Sequence, residues 1–412
     1  MKKKPSIFVA LPVLDELYSL PHTINSIFKQ TFKDYFVYVI VNQPDNWWED
    51  KNKIEICLRN QATLKWLDSL NINNVKIIDR SSKGRGWMGK NCGIGMARKT
   101  VMDEIANDAY DDDLIVSLDA DTVFNDMYFK TIVDTIAQNT NYVAIAVPYY
   151  HKLIDDEIIN RAILRYEIYM RYYAINLWRI NSPYNFTALG SAIVVPVWVY
   201  KKIGGLTPKK GGEDFYFLQK IRKFGPIITY LPEKVYPAAR FSNRVDFGTG
   251  PAIIKGATGN WQSYPIYHYS FFDDVLETYT ILPYLFEQNI DTPLLRFIDK
   301  GNKEIWNDLR KNNPDKQKFI KACHYKIDAL RILQYLKFKN KSTFNDISDE
   351  ARFREFIYTF FYNDYINLKD TLNFLNFQNN DIELLNSIRN YLVNKEEQLQ
   401  QGKLKSIDGK FT

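Results

Sequence analysis

The sequence leads to an α/β expectation: a mostly parallel central sheet with helices on both faces, followed by a separate α-helical region. Three observations carry it. From the N-terminus to about residue 230, short apolar runs rich in β-branched residues alternate with longer amphipathic segments, as successive strand, helix and strand units do. One run, DLIVSLDADT at 113–122, ends in Asp119 and Asp121 with only Ala120 between them, which puts two carboxylates at a strand's C-terminal edge, where α/β sheets bind ligands. Beyond about residue 273, glycines and β-runs nearly vanish, and Lys, Asn, Leu and Phe recur at helical spacing.

Taken in order, residues 6–11 read as the first strand, closed by a turn at Pro12. A helix over 20–29 follows, with Ser19 placed to cap it and Pro21 in its first turn. Residues 35–41 form a second apolar run, and a polar, tryptophan-bearing insertion over 42–53 leads to a helix at 54–70 and a strand at 75–78. After a glycine-rich turn, a helix over 90–105 delivers the chain to the buried strand at 114–118. A helix from 125, a strand at 142–148, a long aromatic helix over 155–179 and a strand at 192–196 continue the pattern. Gly212, Glu213 and Asp214 open a further helix. Glycine and proline crowd 237–265, which reads as a long loop of the lid kind. The last dozen residues look like a frayed tail.

The 412 residues exceed one ordinary core and suit two domains. The boundary is placed between 1–272, the α/β part, and 273–412, the helical part. The net charge of +6 is modest for the length; it is compatible with weak attraction to phosphates or an anionic membrane surface and gives no indication of nucleic-acid binding. Cys57, Cys92 and Cys323 are odd in number and have no metal-ligand spacing, which points to a reducing compartment, the cytoplasm by default. The basic N-terminus is followed by a short apolar run broken at Pro12, Asp15 and Glu16, a first strand rather than a signal peptide. The uncharged, apolar stretch 186–200 is too short to span a bilayer and contains Pro196, so any membrane contact is expected to be peripheral.

Asp119 and Asp121 lie too close for like charges to be comfortable, so a divalent cation or hydrogen-bond donors are expected nearby. The bland alternative is that one caps the next helix and the other is solvated. Glu213 and Asp214 form a second acidic pair after Gly204-Gly205 and Gly211-Gly212; complementing a helix dipole is their structural alternative. Together the two pairs suit a transfer between a nucleoside diphosphate and a hydroxyl, one pair holding the metal on the diphosphate and the other taking the hydroxyl proton.

Five segments in order, FVALPVLDE, INSIFKQTFKDYFVYVI, GKNCGIGMARK, LDADT and GSAIVVPVWVYKKIGGLTPKKGGEDFYFLQKIRKFG, resemble the inverting glycosyltransferases of the GT-A fold, family 2 type, over about residues 5–230. The resemblance implies transfer of one sugar from a nucleotide-diphospho-sugar to an acceptor hydroxyl, in surface polysaccharide or glycolipid assembly. It implies that Asp121 coordinates Mg²⁺ or Mn²⁺ on the diphosphate, with Asp119 contacting the ribose or the metal through water and His268 as a further ligand. Asp214 would be the general base, oriented by Glu213. Pro12, Leu14, Glu16, Asn42, Asn91, Gly93, Asp119 and Arg244 would line the nucleotide-sugar site.

The chain departs from the family in three places. Leu14, Asp15 and Glu16 stand where Tyr-Asn-Glu is usual, removing an aromatic that stacks on the base. Asn42 and Gln43 replace Asp-Asp at the second strand's end. The Gln-X-X-Arg-Trp motif of processive members is absent, with only Trp261 kept in GATGNWQ, which favours a single transfer over polymerisation. His268 in YPIYHYS reads as a structural histidine when taken alone. Arg240, Arg244 and Lys255 in the glycine-rich stretch either close on the diphosphate or stand as solvated charges. The helix bearing Tyr166, Tyr169, Tyr172, Tyr173 and Trp178 reads as core, its Arg161, Arg165, Arg171 and Arg179 leaving open a membrane-surface or acceptor-binding role.

Two rival functions follow. A non-catalytic nucleotide- or glycan-binding subunit would keep the same fold. An NAD-dependent oxidoreductase is suggested by Gly84-Arg85-Gly86-Trp87-Met88-Gly89, which matches G-x-G-x-x-G, but this turn follows the third strand rather than the first. The helical region is expected to serve acceptor binding or oligomerisation, and the location to be cytoplasmic, with contact at the inner face of the membrane left open.

Overall fold

The run IFVALPV, Ile7–Val13 (β1), is buried throughout, as a strand covered on both faces must be. In the computed structural model, which describes residues 4–89, 92–242, 249–344 and 346–407, β1 is an inner strand of a seven-stranded sheet, between β2 and β4. After it come α1 (Leu20–Phe28), β2 (Tyr35–Asn42), α2 (Ile54–Ser69), β3 (Val75–Arg80), α3 (Ile94–Asp108), β4 (Leu114–Ser117), β5 (Thr122–Phe124), α4 (Tyr128–Gln138) and β6 (Ala144–Ala146). Next are α5 (Glu157–Arg179), β7 (Ile193–Pro196), α6 (Val197–Lys202), α7 (Glu213–Phe224), β8 (Ile227–Ile228), β9 (Val235–Pro237) and α8 (Thr249–Ala257).

The sheet order is β3-β2-β1-β4-β7-β6-β8. Its pairs are parallel except where β7 runs against β4 and β6, so the mostly parallel sheet expected from the alternation is present. The chain steps outward from β1 to β3 and then returns to the other side of β1. With right-handed crossovers, α1 and α2 therefore fall on one face and α3 on the other. The reversal opens a crevice between the C-terminal ends of β1 and β4, the place where such sheets bind ligands. β5 and β9 form a separate antiparallel pair, Thr122 opposite Pro237, just beyond β4.

Contacts divide the described chain into two units. The first takes Met1–Asn160, Phe186–Ile254 and Leu404–Thr412; the second takes Arg161–Asn185 and Lys255–Lys403. The second unit is helical: most of α5, then α9 (Ser270–Leu285), α10 (Pro293–Asp299), α11 (Glu304–Asn312), α12 (Lys316–Lys326), α13 (Ala329–Ser342), α14 (Asp349–Phe360), α15 (Tyr362–Asn373) and α16 (Ile382–Ile407). Thr292, Asp315, Asp328 and Ser348 cap α10, α12, α13 and α14 with their side chains, each satisfying an amide that has no intrahelical partner.

α5 is core. The Tyr172 ring meets Phe356 edge-on with centroids 4.8 Å apart, and its hydroxyl donates to the Tyr267 carbonyl at 2.6 Å. Its arginines are engaged inside the unit: Arg165 pairs with Asp349, Arg171 with Glu167 and Glu396, Arg179 with Asp273, and Arg161 donates to the Asn380 carbonyl. They form no basic surface patch. Among the described residues no helix is long and apolar enough to cross a membrane.

Several local expectations are corrected. Pro12 does not end the first strand, because β1 bonds β4 only as far as Ala10 and beyond it has one neighbour, β2; a residue without an amide hydrogen is tolerated there. Ser19 occupies the cap position of α1 without a side-chain bond, and the Glu16 carbonyl accepts from the Leu20 amide at 2.9 Å instead. α3 starts at Ile94, after Gly93 at φ 116°. The stretch expected as one long loop contains α8.

Candidate functional site

The crevice between β1 and β4 gathers charged side chains from five segments of the first unit, and a buried arginine organises them. α3 turns Val101, Met102 and Ile105 inward, and Arg98 lies on the same face, 1% exposed. Its Nη2 donates to Asp119 Oδ1 at 2.7 Å and its Nε to Glu213 Oε1 at 3.2 Å. Nη1 donates to Ser117 Oγ at 2.6 Å and to the Gly190 carbonyl at 3.0 Å. A buried guanidinium is tolerable only when paired and hydrogen-bonded. Burial alone would push its pKa down, and Asp119 and Glu213 outweigh that, so it lies above its ordinary value. Gly190 leaves room for this guanidinium: a Cβ there would lie 2.4 Å from Arg98 Nη2, so a larger residue would have to displace it. The end of β4 and the start of α7 are thus joined through one side chain.

The first turn of α3 packs against the loop leading to α7. A Cβ on Gly95 would lie 2.2 Å from the Lys209 carbonyl oxygen, so only glycine permits this approach. Gly212, at φ 70°, then turns the chain into α7 with Glu213 buried and Asp214 half-buried in its first turn. The Asp214 carboxyl is pushed up to about 7, first by desolvation and then by the Glu213 charge; Arg98 and the Phe215 amide, which donates to Oδ1 at 2.7 Å, oppose this. A carboxylate with that pKa is suited to take a proton near neutral pH.

Asp121 lies two residues beyond Asp119 and has a different partner. Thr23 of α1 donates its hydroxyl to the Ala120 carbonyl at 3.0 Å, and the Ala238 amide donates to the Asp121 carbonyl at 3.2 Å. This turn places the Asp121 carboxylate against Arg240, which follows β9: Nε and Nη2 donate to Oδ2 at 3.0 and 2.5 Å. The same Nη2 also donates to Glu16, which is 4% exposed. Among the described residues no three His, Cys, Asp or Glu side chains form a ready-made metal cage. Two carboxylates converging on one point do suit Mg²⁺ or Mn²⁺, which commonly take one or two carboxylates and complete their shell with phosphate oxygens and water. The donor set fits such a cation.

The other end of the crevice is built from amides. Asn42, 2% exposed, donates to the Val13 carbonyl at 2.8 Å and accepts from Trp87 Nε1 at 3.1 Å; it therefore braces the strand ends. Leu14 is half-buried after β1, and Asp15, at φ 57°, is held by Arg59 at 2.6 and 3.0 Å. The turn at 84–89 is closed by the protein itself. Its Gly84 and Gly86 amides donate to Asp45 Oδ1 at 2.7 and 3.1 Å, so the amides that a dinucleotide-binding turn offers to a pyrophosphate are directed at a carboxylate.

Of the expected site residues, Pro12, Leu14, Glu16, Asn42, Gly93, Asp119, Asp121, Glu213 and Asp214 belong to the first unit. Asn91 and Arg244 lie outside the described residues. His268 belongs to the helical unit, where Nδ1 lies 2.8 Å from Ser270 Oγ and Nε2 3.3 Å from Glu355 Oε2. Sequence reasoning missed Arg98, Gly190 and the pairing of Glu16 with Arg240. Arg98 had left a signal: a charge on the apolar stripe of a helix, three, four and seven residues before Val101, Met102 and Ile105. Arg240 stands out in the sequence as a charge in the glycine-rich stretch, but its pairing with Glu16 and Asp121, like the approach of Gly190 to Arg98, leaves no local signal.

No model of a known protein family matches this chain, and no curated protein matches it in sequence. Among solved structures, S. aureus TarS 1–349 in complex with UDP-GlcNAc is similar with a TM-score of 0.41 and 13% identity, over 82% of this chain and 91% of that one. The mannosyltransferase PcManGT from Pyrobaculum calidifontis, in complex with GDP-Man and Mn²⁺, has a TM-score of 0.39 and 10% identity, over 96% and 86%. GalNAc-T7 with UDP, GalNAc and Mn²⁺ has a TM-score of 0.37 and 12% identity, over 84% and 59%.

Proposed function

We propose that the first unit is a GT-A type glycosyltransferase that moves one sugar from a nucleotide-diphospho-sugar to an acceptor hydroxyl with inversion. The observation that supports this reading is the Arg98 bridge: it ties the Asp119 end of the strand-edge pair to Glu213, the neighbour of Asp214. A leaving-group end and a proton-accepting end thereby belong to one crevice. Asp214, with its raised pKa, takes the acceptor proton as the oxygen attacks the anomeric carbon. A single displacement inverts that carbon and needs no covalent enzyme intermediate. Glu213 and Arg98 hold the base in place and set its charge.

Asp121 and Glu16 would hold a Mg²⁺ or Mn²⁺ ion, which when bound neutralises charge on the departing diphosphate. Asp119 faces the donor from beside them, and Asn42, Leu14 and Gly93 lie toward its nucleotide. The helical unit supplies the acceptor contacts or self-association, the acceptor being a glycan or glycolipid of surface polysaccharide synthesis at the cytoplasmic side. His268 is held by Ser270 and Glu355, and we assign it no ligand role.

The test is transfer or donor hydrolysis assayed over a panel of UDP-, GDP- and dTDP-sugars with Mn²⁺, Mg²⁺ or chelator, in wild type and Asp214→Asn. Turnover that survives in a folded Asp214→Asn protein would remove the base assignment. Donor binding with no turnover under any condition would favour the non-catalytic subunit, and NAD binding in the same panel would favour the oxidoreductase.

A further inference from the structure

The place of Arg240 leads further than the reading above, on which this inference rests. Glu16 and Asp121 come from the ends of two different strands, yet both accept from the same Arg240 nitrogen. Oxygens that touch one atom surround one position. That position holds a positive charge for a physical reason: the Glu16 side chain is 4% exposed and Asp121 15%, and the repulsion between two carboxylates so placed is offset by a cation between them. Arg240, 31% exposed, closes the pair from the solvent side. It is also carried by the segment after β9, which pairs with β5 immediately beyond Asp121. The cation is therefore built into the strand pairing.

We propose that Glu16 is a ligand of the divalent cation together with Asp121, and that Arg240 is a resident counter-cation holding this position until the metal and donor arrive. A guanidinium nitrogen and a metal ion cannot share the point where the two oxygens meet. Metal affinity in the absence of donor is accordingly low, because entry must displace a guanidinium that bridges both carboxylates. The exchange keeps the buried carboxylates neutralised in both states and confines the metal-loaded form to the donor-bound protein.

The experiment titrates Mn²⁺ into the full chain without donor and follows unbound Mn²⁺ by electron paramagnetic resonance. Arg240→Gln is expected to bind Mn²⁺ about tenfold or more tightly than wild type, since the competing charge is gone. Arg240→Gln/Glu16→Gln is expected to lose that gain, and Arg240→Lys, which keeps the charge, to stay near wild type. Equal affinities in wild type and Arg240→Gln would overturn the proposal. So would a double variant that binds as tightly as Arg240→Gln.

Thermal melts accompany the titration. Mn²⁺ should raise the Tm of Arg240→Gln more than that of wild type, since it enters the place that the guanidinium has left, and an equal rise counts against the proposal. Nucleoside diphosphate binding to wild type is measured separately. Failure to bind UDP or GDP with Mn²⁺ present would remove the glycosyltransferase reading, while the competition between Arg240 and Mn²⁺ is judged on the titration alone.

Discussion

Arg98 and Glu213 form an ion pair in which both side chains are almost wholly buried, 1% and 5% exposed, with Nε 3.2 Å from Oε1. The same guanidinium reaches Asp119 at 2.7 Å, so one residue of α3 aligns a strand end with a helix start. Replacing Arg98 by Met should cost about 3–5 kcal/mol in urea unfolding, because Glu213 is left as a buried charge without its cation. Glu213→Gln in the Arg98→Met background should recover part of that loss. A single Arg98→Met variant as stable as wild type would show that the bridge is dispensable.

The raised Asp214 pKa sets a pH dependence. Transfer should rise with pH as Asp214 ionises, with a lower limb near pH 7 in kcat/KM. Glu213→Gln removes the neighbouring negative charge and should move this limb to lower pH; a limb that stays in place would separate it from Asp214. Asp214→Asn should lower the rate about 10²–10⁴-fold, the usual worth of a positioned base.

The same shift has a consequence for stability. A carboxyl whose folded pKa is raised favours the folded state while it is protonated, so this contribution is complete below the ordinary carboxyl range near 3.8 and is lost as pH climbs through about 7. Asp214→Asn should therefore gain stability relative to wild type as pH rises from 4 to 8. Denaturant midpoints across that range check the sign.

At Gly190 any Cβ would meet the Arg98 guanidinium, 2.4 Å from Nη2 and 3.0 Å from Cζ. Gly190→Ala should cost about 1–3 kcal/mol by overpacking and reduce transfer along with it. Preserved stability and activity would mean that Arg98 can move without consequence.

In the helical unit, Arg171 joins Glu167 and Glu396 at 2.6 and 2.7 Å, and Arg389 reaches Glu167 at 3.3 Å, all four buried. Arg171→Met should destabilise this unit by about 3–5 kcal/mol, read as a lowered melting transition. Glu167→Gln added to it should restore part of the loss.

The alternation of strands and helices was legible because a parallel strand buried on both faces must be a continuous apolar run, and the amphipathic segments between such runs must cover it. The two acidic pairs were legible because paired carboxylates after a strand and at a helix start have few structural uses. The ends of the elements were less so. β1 runs through Pro12 only because its second neighbour stops at Ala10, and that depends on a strand a hundred residues away in the chain. The five-residue helix Asp45–Glu49 and the short strands β5, β8 and β9 carry too few residues for a periodicity to register.

The strand-edge pair DLIVSLDADT and the pair at Glu213 and Asp214 were thus set by local pattern, since burial and backbone period act over a few residues. Which carboxylate answers to which cation was decided by folding alone. Asp119 and Asp121 are two residues apart and meet different arginines: one pairs with Arg98 from α3, the other with Arg240 from the segment after β9. Residues two apart in an unbroken strand share a face; here the turn between β4 and β5 sends the two carboxylates apart, and the sheet order, which no local pattern encodes, brings a different arginine to each.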